Sequence, residues 1–245
     1  MEPVSDHLIR VWRNYLEQFA DHEGDVKRQI IVAAHHGAEI FGLLCRTLDR
    51  SGRYRALIDE RTAGFEMSSG STEDFEDSLL VATFTLYNHF NTLSHQFTAG
   101  NPQAEDLIAA LDEQVKATAQ SPGQIERSGA ALRACFPLLS LVTLAADQSQ
   151  SATASIRKVE QRFAAGAARA VTPWEHLVNG LYRIVEMMQI FAIVSDTGLA
   201  GEVQRIATQF QEEDETSDYY LKVRNGFGRL FELGHLLTTR LEQTL

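Results

Sequence analysis

Lysine is nearly absent from this chain. Its 245 residues hold 4 Lys beside 18 Arg, and 33 acidic side chains leave a net charge of −11. A phosphate backbone needs a concentrated positive face. The densest basic stretch, Arg157, Lys158, Arg162 and Arg169, is interrupted by Glu160. Nucleic-acid binding is therefore not expected, nor is attachment to an anionic membrane surface. Cysteine is as scarce: Cys45 and Cys135 form no CxxC pair, which excludes a thiol redox motif and a zinc knuckle. Both fall in apolar helical stretches, as small core residues of a reducing compartment do. The longest strongly apolar, charge-free run, 134–146, is shorter than the ~20 residues of a membrane span. The first six residues carry neither a basic nor an apolar signal region, so the expected location is cytoplasmic.

Catalytic templates are missing too. GxxxxGK[ST], GxSxG and HExxH do not occur. A di-iron bundle needs two ExxH pairs and two further carboxylates; only Glu232 and His235 have that spacing. His35 and Glu39 are four apart, and the wheel of their helix puts them opposite its apolar stripe, toward water. No metal and no cofactor are expected. His35-His36-Gly37 resembles the exposed histidine of phosphotransfer domains, a family in which Lys-Gly follows three and four positions on. Here Ala38 and Glu39 follow His35, and Glu39 and Ile40 follow His36, so phosphoryl transfer is not expected.

What the chain has in quantity is apolar residues spaced three and four apart, the period of amphipathic helices. The reading is an all-α bundle of about eight or nine helices in a single domain, 1–245, with possible sub-bundles 1–120 and 123–245. Helices are predicted over 5–19, 25–49, 73–98, 102–119, a segment after Gly123, 154–168, 172–195, 199–210 and from Tyr219 onward, with a short piece at 54–60. The helices over 73–98, after Gly123 and over 172–195 are expected to be largely buried. Ser71 and Thr72 offer an N-cap, Asn101-Pro102 a cap with proline at N1, and Thr172-Pro173-Trp174-Glu175 a capping box. Residues 62–71 read as a loop, and no repeat of fixed period stands out. Gly226, Gly228 and Gly234 are read as points of close helix approach.

The segment 78–104 carries no formal charge. One face is Leu79, Leu86, Phe90, Leu93 and Phe97. The back holds Phe84, Asn88, Asn91 and His95, flanked by Thr85, His89, Thr92 and Gln96. Neutral polar groups without charges imply partial burial, with a partner for each amide and imidazole. That face is either an internal hydrogen-bond network or a pocket for a small polar or planar ligand, with Phe65 and Met67 of the 62–71 segment packing into the bundle or closing over it. Tyr219, Tyr220, Phe227 and Phe231 suggest a helix–helix interface between copies.

Three functions follow. The leading one is a non-enzymatic regulatory or adaptor protein with protein partners, expected to be a homodimer. The second is a ligand-sensing bundle using Phe65, Met67, Phe84, Asn88, Asn91 and His95. The third is a helical oxygenase or iron-carboxylate enzyme using His35, Glu39, His89, His95, Glu186, Glu232 and His235.

Overall fold

The computed structural model describes residues 4–69, 74–118, 120, 121, 123–213 and 216–244. Among them are ten α-helices and no strand: α1 Val4–Asp21, α2 Val26–Leu48, α3 Arg55–Ser69, α4 Phe75–Thr98, α5 Pro102–Thr118, α6 Gln124–Ala146, α7 Thr153–Arg169, α8 Pro173–Ser195, α9 Ala200–Glu213 and α10 Tyr219–Thr244, with a 3₁₀ turn at Thr197–Leu199. The predicted short piece at 54–60 is a full helix that absorbs most of the predicted loop. Ile58 and Phe65 explain this, because both are buried on one stripe of α3. The cap before α4 is Asp74, which accepts from the Glu76 and Asp77 amides; Ser71 and Thr72 lie outside the described residues. Asn101 and Thr172 cap as expected.

The even-numbered helices close a ring: α2 packs on α4, α4 on α6, α6 on α8, α8 on α10, and α10 back on α2. Each odd-numbered helix lies outside, over the two inner helices it connects, and α1 covers the seam between α10 and α2. Among the described residues two helices, α6 and α8, are long and apolar enough to cross a membrane, and they are adjacent members of this inner ring.

The ring has a period that residue identities conceal. Four inner helices begin at 26, 75, 124 and 173, a spacing of 49 residues, and the fifth begins at 219. In that register Ala33, Ala82, Ala131, Gly180 and Gly226 are equivalent, and all five are buried. Leu44, Leu93, Val142, Phe191 and Leu237 are equivalent too, and none has exposed surface. Small residues at one level let five helices approach; large ones at another fill the axis. Phe97 of α4 meets Phe191 of α8 with ring centroids 5.8 Å apart, a contact between helices that are not neighbours in the ring.

Gly226 and Gly234 serve close approach, as read; Gly228 does not, since a Cβ there would meet only the Tyr15 hydroxyl at 3.4 Å. A Cβ on Gly226 would lie 2.6 Å from Leu181 Cδ2, and one on Gly234 would lie 2.9 Å from Ile40 Cγ2. Ile40 is branched at Cβ and stiff in a helix, so Gly234 has little slack. Gly234→Ala is expected to destabilise the protein by about 1–3 kcal/mol despite alanine's better helix propensity. Gly64→Ala, where the added methyl meets nothing within 4 Å, should stabilise by up to about 1 kcal/mol. Denaturant titration of the two variants checks both signs.

Candidate functional site

The uncharged face of α4 is shielded, and its partners come from the outer layer. Arg61 of α3 reaches into it. Its Nη1 donates to the Asn88 carbonyl and to Thr92 Oγ1, and its Nη2 to Asn91 Oδ1 at 3.4 Å. Asn91 Nδ2 donates to Asp112 Oδ1 of α5 at 3.1 Å, and the Tyr87 hydroxyl donates to the same oxygen. Burial, and then Asp112, pushes the Tyr87 phenol far up, which keeps it a donor. Sequence reading missed Arg61 and Asp112, since nothing local ties α3 and α5 to these atoms.

The predicted ligand residues therefore separate. Asn91 is buried in this network. Asn88 contributes its carbonyl, and the His95 carbonyl accepts from the Tyr54 hydroxyl at 3.0 Å. Phe84 lies under the Arg127 guanidinium. Phe65 packs edge-on against His35, and the Met67 side chain lies outside the described residues. The Arg61 guanidinium lies beside Asn88 and Asn91, where a ligand is expected from the sequence.

His35 and Glu39 are only partly exposed, because the outer layer covers much of the back of α2. His35 Nε2 bonds the Ser78 carbonyl at 3.2 Å. Glu39 accepts from His7 Nε2 at 2.9 Å and from His36 Nδ1 at 3.2 Å, so it is spoken for by two imidazoles other than His35. Glu232 pairs with Arg229 at 2.7 Å, and Glu186 with Arg183 at 2.6 Å and Arg162 at 3.1 Å. His235 lies against Trp12. His89 is fully buried, its Nδ1 has no partner, and burial followed by the nearby Arg61 charge pushes it down to about 3. Among the described residues, no group of three or more His, Cys, Asp or Glu could hold a metal. The residues named for an iron-carboxylate site are thus scattered among separate contacts.

The suggested interface is also largely interior. Phe227 and Phe231 have no exposed surface; Phe231 stacks on Trp12 beneath α1. Tyr220 packs on Trp174 and Phe75, and the Tyr219 hydroxyl donates to Glu175 Oε1 at 3.0 Å. The α10 seam read as a docking face meets α2 and α8 of the same chain.

A cleft of about 1000 Å³ opens elsewhere, at the ring mouth where the inner helices end. Leu48, Phe97, Ala146, Ser195 and Leu241 all line it. These five occupy one equivalent position of the 49-residue register, so every inner helix contributes the same turn. Ile190 and Ile193 extend the apolar wall; Gln96, Arg50 and Thr197 supply polar groups. Gln96 Nε2 donates to the Cys45 carbonyl at 3.0 Å, which leaves Oε1 without a donor.

The next equivalent position is Asp49, Thr98, Asp147, Asp196 and Glu242, acidic in four of five cases. Three of these carboxylates turn the chain outward. Asp49 accepts from the Tyr54 amide before α3, Asp147 from the Ala152 amide before α7, and Asp196 from the Gly198 amide before α9. Asp196 also accepts from Arg240 Nε, and Glu242 accepts from the Thr47 hydroxyl. The negative ends of five helices converge here. The chain has no significant match among protein-family models, curated proteins or solved structures.

Away from the mouth, the histidine pair on Glu39 sets a pH response. Burial alone would raise the carboxyl; hydrogen bonds from His36 and His7, then their charges, outweigh it and bring it down to about 2 from 4.5. A folded pKa below the unfolded one gives stability that is complete above about 4.5 and is lost as pH falls toward 2. Glu39→Gln should cost roughly 2–3 kcal/mol near pH 6. That cost should shrink steadily between pH 4.5 and the acid limit, as read by urea titrations of both proteins. A gap that does not change with pH contradicts the assignment.

Proposed function

We propose that the protein is a non-enzymatic ligand-sensing helical protein whose ligand enters the mouth of the inner ring. One observation carries this reading: the cleft is lined by the same structural position from all five inner helices. A molecule bound there touches every member of the ring at once. Its binding free energy then acts on the ring as a unit, which is what a sensor requires. The volume lies at the upper end of small-molecule pockets, and apolar walls with a few polar groups are their usual lining.

The polarity of the mouth favours a cation with an apolar body. Helix C-termini carry partial negative charge, Asp147 lines the cleft beside Arg50, and Asp49, Asp196 and Glu242 hold the equivalent position of their helices, with Asp196 paired to Arg240. The face of Phe97 offers a further attraction for an ammonium group. Gln96 Oε1, shielded in the wall, would gain a donor from an N–H after a small adjustment of the side chain. Phenethylammonium is a suitable probe. At ten times its Kd it should stabilise the protein by roughly 1.4 kcal/mol, or about 3–6 °C in Tm for a chain of this size. Ala146→Trp fills the cleft from its wall and should remove the shift while the protein stays folded. Absence of a shift in the unaltered protein, or an equal shift in the variant, contradicts the reading.

A regulatory adaptor acting as a homodimer is the second reading, and it uses another surface. Ile9 and Leu16, 60% and 49% exposed, stand two turns apart on the outer face of α1, and an apolar pair in that arrangement suits a helix partner. Ile9→Glu with Leu16→Glu should convert a dimer to a monomer in native mass measurements. A chain that is monomeric before substitution removes this reading.

A further inference from the structure

A second cavity, about 300 Å³, lies on the outside of the ring, where α5 and α7 leave the back of α6 uncovered. Leu111 and Val115 form one wall, Phe163 the other, and Ala134 and Pro137 part of the floor. Arg133 rises from the same floor. Its guanidinium is half-buried, and burial pulls its pKa down. Among the described residues no carboxylate stands within ion-pair distance of it. Glu126, two turns earlier on α6, is exposed and acts on it only through its field. The carboxylates of α5 nearest this side are engaged elsewhere: Asp112 by Tyr87 and Asn91, Glu113 by Lys116. On α8, His176 has a shielded Nδ1 without a partner and sits in the field of the same guanidinium, so the positive charge is not offset from that side.

Several other arginines held partly inside the fold have acceptors, whereas Arg127, earlier on α6, lies over the Phe84 ring with its Nε unpartnered. Arg46 meets Asp59, Arg183 meets Glu186, Arg229 meets Glu232, and Arg61 has its three acceptors. A partly desolvated charge without a counter-ion costs free energy. A planar guanidinium on the floor of an apolar groove is complementary to one kind of ligand: a carboxylate, held by paired N–H groups, with an apolar body along the walls. We infer that this groove binds a small organic anion of the aryl or alkyl carboxylate class, with its carboxylate on Arg133. The site is separate from the mouth, shares no lining residue with it, and selects the opposite charge.

The test is isothermal titration and thermal unfolding of the full chain with phenylacetate at low salt. Phenethylammonium, which has the same ring and the opposite charge, is the control. Phenylacetate is expected to bind with a Kd near or below about 1 mM, given its few heavy atoms. R133M keeps an apolar stem of similar length and removes the unpaired charge. It should weaken phenylacetate binding at least tenfold, while its own Tm without ligand stays level or rises. Ala167→Trp, at the lip of the groove, should block binding with Arg133 still present. Ala146→Trp, at the mouth, should leave phenylacetate binding within twofold. The inference is overturned if the unaltered protein does not bind phenylacetate, if R133M binds it equally, or if only the mouth variant loses it. Those results leave the phenethylammonium response of the mouth to stand or fall separately.

Discussion

Closing five helices into a ring requires that neighbouring axes come close at one level, and the chain meets this with Ala33, Ala82, Ala131, Gly180 and Gly226. Larger side chains there would push the axes apart, and α10 could no longer reach α2. The same register places Leu44, Leu93, Val142, Phe191 and Leu237 at a second level, where their bulk occupies the space along the axis. Interiors are packed at near-crystalline density, so the small residues and the large ones specify each other. The outer helices are then short returns laid over the seams. Their polar contacts, such as Arg61 on the back of α4, belong to the joint between layers.

The way the chain leaves the ring determines what the mouth can hold. Each inner helix gives way to a turn that a polar side chain holds. Asp49, Asp147 and Asp196 accept amides of the turns that lead to α3, α7 and α9, and Asn101 caps α5. A folding requirement therefore deposits carboxylates around the opening, where helix dipoles are already negative. The groove over α6 arises differently. Two outer helices that cover the seams on either side of one inner helix leave its back bare, and Arg133 is the one charged group on that floor.

Much of this was legible before any coordinates. The all-α class, the caps at Asn101 and Thr172, the close approach at Gly226 and Gly234, and the shielding of the uncharged 78–98 stretch follow from residue chemistry at short range. The ring did not, because equivalent positions share size or polarity and not identity: Phe97, Ala146 and Ser195 look unrelated until they are spaced by 49. The exposure expected for His35 and Glu39 assumed a single-layer bundle, in which one side of every helix meets water. Two layers bury both sides of α2, and its 23 residues include His36 and Gln29 among the buried ones. Phe227 and Phe231 misled for the same reason. An apolar seam on a last helix reads the same whether its partner is a second copy or the first half of the same chain.

Hydrogen–deuterium exchange resolved along the sequence is the most direct test of the closed ring. The interior stretches of α2, α4, α6, α8 and α10 should exchange slowly and together, through one cooperative opening, while α3, α7 and α9 exchange earlier by local fraying. Rapid, independent exchange of α10, or of residues 78–98, would mean that the ring is open and that neither the mouth nor the buried polar seam exists in solution.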